Sequence, residues 1–155
     1  METIKEGKQF LRENYGKGCV CPCCNQFVKL YKRKLNTSMA HTLIRLFRKG
    51  EEYYHITDIL GVKYGVGTGS ELSKLVHWEL VSELEKDPKD TRTRTSGFWK
   101  ITEKGKKFVQ NELKVPMYIL LYNSQLRGFT GREIDIFEAL GNKFNYRELM
   151  SNHNV

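Results

Sequence analysis

Along this chain the spacing of apolar residues shifts between a helical period and an alternating one, and those shifts mark out the elements. Ile4, Phe10, Leu11 and Tyr15 fall within one helical stretch from Thr3 to Tyr15, stopped by Gly16 and Gly18. The run QFVKLYKRKL, residues 26–35, mixes aromatic, branched and basic side chains as a strand does. Asn36, Thr37 and Ser38 offer an N-cap to MAHTLIRLFRKG, where Met39, Leu43, Ile44, Leu46 and Phe47 make an apolar face. Arg48 and Lys49 in its last turn suit the helix dipole, and Gly50 ends it.

The middle of the chain is built from shorter pieces. Tyr53–Ile56 predicts a strand, and Thr57 caps a brief helix through Leu60. GVKYGVGTGS is a glycine-rich loop. It lacks the lysine of a Walker loop and the spacing of a dinucleotide fingerprint, so a connector is the expected use. A helix from Ser70 to Trp78 follows, with Leu72, Leu75 and Val76 on one face. LVSELEK alternates as a strand, DPKDTRTRTSG is a basic loop, and FWKI is the returning strand. Thr102 then caps a helix carrying Phe108, Val109 and Leu113. Trp78 and Trp99 are expected in the core. After Pro116, MYILLYN predicts a strand, SQLRGFTGREIDI a turn with a second extended run, and FEALGNKFNYRELM helical pieces.

Charge adds a direction to this picture. The 155 residues carry a formal net charge of +8, which favours nucleic acid or another acidic partner. Residues 29–49 are charged only by Lys and Arg, 51–85 turn acidic, and 86–107 are basic again. No apolar run reaches membrane-spanning length, and an N-terminus with Glu2, Lys5, Glu6 and Lys8 does not read as a signal peptide. A cytoplasmic protein with no membrane partner is the expectation.

All four cysteines, Cys19, Cys21, Cys23 and Cys24, lie within six positions. Cys21-Pro22-Cys23-Cys24 fits half of a zinc knuckle, with Asn25 suited to the left-handed residue after the second ligand. Cys21 and Cys24 would supply two ligands of a structural zinc, and Cys19, Cys23 and His41 are the candidates for the rest. A thioredoxin-like redox site needs a βαβ context that the basic strand does not provide. Four thiolates for an iron–sulfur cluster would be crowded here. Four reduced thiols in a turn is the remaining reading.

Helix, short strand, short helix, helix, strand, basic loop, strand, helix: this order resembles the winged-helix DNA-binding superfamily. The resemblance rests on His77-Trp78-Glu79-Leu80-Val81, which is similar to the end of a recognition helix entering a wing. It rests also on Ile101-Thr102-Glu103-Lys104-Gly105, similar to the Leu-Thr-x-Lys-Gly signature of MarR-like regulators. It spans about Thr37 to Leu113. Cys21 to Lys29 and the C-terminal tail also resemble segments of small phage-encoded proteins of unassigned function. The implied fold is α+β: residues 1–36 with helix, cysteine knuckle and basic strand, a winged helix-turn-helix domain over 37–115, and a hairpin and helix extension over 116–155.

The resemblance implies duplex DNA as partner, with Ser70, Ser73, Lys74 and His77 outward on the recognition helix. Lys89, Arg92, Arg94 and Lys100 would grip phosphate from the wing, with Lys32, Arg33 and Lys34 as a basic arm. Glu71 would repel phosphate on that helix, and this keeps a second expectation open: a module that binds and inhibits or redirects a host protein. No catalytic motif stands out, so a non-enzymatic, phage-type regulator is expected, homodimeric by analogy with the family.

Overall fold

A computed structural model describes residues 3–60, 70–89 and 96–151. It has a mixed α/β fold with seven α-helices and three small antiparallel sheets among those residues. The chain divides into two compact units, residues 1–34 with 118–130 and residues 35–117 with 131–155.

The first unit begins with α1 (Ile4–Asn14), capped by Thr3, whose hydroxyl accepts from the Glu6 N–H. Strands β1 (Cys19–Val20) and β2 (Phe27–Val28) pair as a two-stranded ribbon around the cysteine turn. The basic run predicted as one strand is broken after Val28, because the Leu30 N–H turns to the Tyr15 carbonyl instead of a neighbouring strand. Its second half, β3 (Tyr31–Lys34), pairs with β7 (Val115–Tyr122), and β8 (Gln125–Ile134) completes the order β3-β7-β8. Asn123 and Ser124 both have positive φ, 52° and 63°. That is the conformation a two-residue primed hairpin turn between β7 and β8 requires.

The second unit is organised around α2 (Thr37–Lys49). Asn36 caps it by accepting from the Met39 N–H at 2.9 Å. Its apolar face, including Leu43, Ile44 and Leu46, is buried among α3 (Ile56–Leu60), α4 (Ser70–Leu75), α5 (Glu103–Val109), α6 (Ile136–Leu140) and α7 (Tyr146–Ser151). Strands β4 (Tyr54–His55), β5 (Val81–Glu83) and β6 (Phe98–Ile101) form a sheet of order β4-β6-β5. The helix predicted to reach Trp78 gives way after Leu75 to a 3-10 turn, Val76–Trp78, which Glu79 ends in the left-handed conformation.

Both tryptophans are in the core, as expected: Trp78 is 0% and Trp99 1% exposed. The Trp78 indole N–H donates to the Pro116 carbonyl at 2.8 Å, so the polar edge of the ring is satisfied where its body is buried. Thr102 caps α5 through the Gly105 N–H and donates its own hydroxyl proton to the Glu79 carbonyl at 2.6 Å. No buried side-chain N or O among the described residues lacks a partner. No helix among them is long and apolar enough to cross a membrane.

Candidate nucleic-acid interface

The cysteine turn keeps the local geometry its sequence predicts. Asn25 has φ 63°, the Asn25 N–H donates to the Cys21 carbonyl, and the Cys21 N–H donates to the Gln26 carbonyl. The Cys23 and Cys24 backbone N–H groups bond the Cys21 sulfur and hold its thiol below the ordinary value.

The zinc expectation is corrected here. Among the described residues, no group of three or more His, Cys, Asp or Glu side chains is placed to hold a metal ion. The five residues proposed as ligands have other surroundings. Cys19 is half-buried on β1 opposite Val28, Cys21 is buried, and Cys23 and Cys24 are exposed. The Cys23 sulfur lies against Gly7 of α1, where a Cβ would come within 2.7 Å of it. His41 belongs to the second unit and stacks on Phe144 with ring centroids 4.3 Å apart. Burial, then the neighbouring Arg45 charge, hold its pKa below the ordinary histidine value. A zinc-dependent regulator is thereby overturned.

The residues expected to meet DNA are spread over several elements. Ser70, Ser73 and Lys74 are on α4, where Glu71 accepts from Ser38 at the start of α2. His77 is half-buried in the 3-10 turn, and burial lowers its pKa. Lys89 is exposed, its N–H held by the Asp87 carboxylate. Arg92 and Arg94 lie outside the described residues.

Lys100 sits opposite Ser82 on the sheet, with its ammonium 5.6 Å from the Tyr53 ring centroid. It lines a polar cleft of about 430 Å³ together with Glu51, Glu52 and Lys106. Lys106 is bound by Glu51 and Glu103 at 2.5 and 2.6 Å, and their hydrogen bonds and charges raise its pKa. Lys100 therefore faces carboxylates, which compete with any phosphate for it.

Lys32, Arg33 and Lys34 are different. They form no loose arm but the exposed edge strand β3 of the first unit. Residues opposite one another across a pair share a face. The register Lys32↔Leu120 and Lys34↔Tyr118 puts these two lysines on one face with Tyr118, and period two adds Tyr122. The Lys32 ammonium stands 4.0 Å from the Tyr118 ring centroid, and the Arg127 guanidinium 5.6 Å from that of Tyr122.

Beside Tyr122 opens a pocket of about 260 Å³, lined by Leu11, Arg12, Tyr15, Val28, Tyr122 and Arg127. Tyr15 and Tyr122 meet there edge to face, centroids 6.5 Å apart. Sequence reasoning assigned no role to Tyr118, Tyr122 or Arg127. The alternation of tyrosines in MYILLYN was the available signal, but its partner strand lies some 80 positions away. In comparisons with known proteins, the chain matches no family model, no curated protein and no solved structure.

Proposed function

We propose that the second unit is a winged helix and that the protein acts by binding duplex DNA. The observation that carries this is topological. The order α2, β4, α3, α4, β5, β6, α5 with strand order β4-β6-β5 supports the reading, because a winged helix uses this order to present one helix and one hairpin on the same side of a three-helix core. In that reading α4 enters the major groove with Ser73 and Lys74. Lys89, with Arg92 and Arg94 in the adjoining loop, contacts phosphate.

The test is duplex binding by the full chain across a salt series. Binding whose log affinity falls linearly with log salt, and whose slope shrinks by about two in the Arg92→Ala/Arg94→Ala variant, supports the reading. No duplex binding at low salt overturns it.

One observation favours a second reading, a protein-binding module. The second unit carries 17 Lys and Arg against 15 Asp and Glu, nearly neutral, and Glu71 lies on the very helix that would approach phosphate. A partner retained from host lysate after nuclease treatment, and lost with Glu71→Lys, would favour it.

A further inference from the structure

We propose that the first unit carries a separate site for single-stranded nucleic acid. The strand would run along the Lys32–Tyr118 face of β3-β7-β8, and one base would enter the pocket between Tyr15 and Tyr122. This goes beyond the duplex reading and stands or falls without it.

Charge comes first. The first unit holds nine Lys and Arg against three Glu, so it carries most of the chain's net charge of +8. The three carboxylates are Glu2, Glu6 and Glu13; residues 14–34 and 118–130 contain none. Within this unit every charge on the sheet is therefore positive; the one carboxylate on its strands, Glu133, lies at the far end of β8 in the second unit. A polyanion lying across the first unit's part of the sheet meets no like charge, and each phosphate neutralised releases counterions.

The apolar component selects the kind of polyanion. Duplex DNA hides its bases, whereas a single strand offers unstacked faces that aromatic side chains can hold. Phe129, on β8 of this sheet, is 43% exposed and belongs to this unit. Tyr118 and Tyr122 are half-buried, which fixes their rings, and each already carries a cation over its face. Aromatic rings alternating with cations along one sheet form a stacking platform with phosphate grips beside it.

The pocket gives the platform an end point. Its volume of about 260 Å³ falls just below the range of drug-sized sites (~300–1,000 Å³), a size suited to one base with its sugar. Leu11 and Val28 supply apolar walls, the two tyrosines supply rings, and Arg12 and Arg127 bring cations to its rim. Both arginines are exposed, and among the described residues neither is held in an ion pair with a carboxylate.

The experiment is fluorescence anisotropy with labelled oligothymidylate and oligouridylate of about 15 nucleotides, using the full chain, with unlabelled duplex and heparin as competitors. The expected result is that both single strands bind and that each, unlabelled, competes better than duplex or heparin at equal anionic charge. Preference between the two would tell DNA from RNA as the source of the strand. Tyr122→Leu, which keeps the charge, should lose about tenfold in affinity, and Arg127→Gln should reduce the salt slope by about 0.7. Tyr118→Leu provides the same stacking test away from the pocket, should Tyr122→Leu disturb the fold by circular dichroism. Equal competition by heparin, or unchanged affinity in a folded tyrosine variant, would overturn the site. Loss of duplex binding in Arg92→Ala/Arg94→Ala with single-strand binding intact would separate it from the winged-helix reading.

Discussion

The Lys32 ammonium lies over the Tyr118 ring at 4.0 Å from its centroid, across a strand pair whose members are more than 80 positions apart in sequence. Such a contact at an exposed site contributes about 0.5 kcal/mol. A double-mutant cycle of Lys32→Ala and Tyr118→Leu should return a coupling of that order in urea denaturation. Strictly additive effects would mean that the cation is solvated and the ring is held by packing alone.

Trp78 joins the 3-10 turn after α4 to Pro116, the second residue of β7. Its ring is 0% exposed, and its N–H is bonded to the Pro116 carbonyl. Trp78→Phe keeps an aromatic body but leaves that carbonyl without its donor and some volume unfilled. The loss should be about 2 kcal/mol, read as a lower urea midpoint. An unchanged midpoint would show that water or a shifted neighbour replaces the indole.

Gly105 and Gly16 make a matched pair. A Cβ on Gly105 would stand 2.1 Å from the Leu80 carbonyl oxygen, which is backbone and cannot swing aside, whereas one on Gly16 meets nothing within 4 Å. Gly105→Ala should therefore cost at least the ~1–3 kcal/mol typical of overpacking, with Gly16→Ala close to neutral. Equal thermal midpoints for the two variants would refute the close approach of α5 to the strand entry.

The same glycine shows what was legible in the sequence. Thr102 and Glu103 announced a capped helix after a strand, and the cap forms as expected, with the Thr102 hydroxyl accepting from the Gly105 N–H. Asn36 and Asn25 were equally readable, because capping and left-handed turns depend on residues close in sequence. The zinc reading failed for the opposite reason. Half a site is local, but its completion depends on which distant side chains converge, and His41 is occupied by Phe144. The Lys32–Tyr118 face was hidden likewise, since strand pairing over a long separation leaves no short-range signal.

His41 makes stability depend on pH in a defined direction. Its folded-state pKa is lowered from 6.5, first by burial and then by Arg45, so the unfolded chain takes up a proton more readily than the folded one. His41 then contributes stability that is fully present above the unfolded value, and this is lost as pH falls through 6.5 toward the folded value. His77, lowered by burial, acts in the same sense. His41→Phe keeps a ring to stack on Phe144 but cannot charge. Unfolding free energies from urea titrations between about pH 7.5 and 5.5 should fall less steeply for this variant than for the wild type, with the remaining slope due in part to His77. Identical slopes would mean that His41 stays accessible to protons in the folded chain and that the stack on Phe144 does not exclude water.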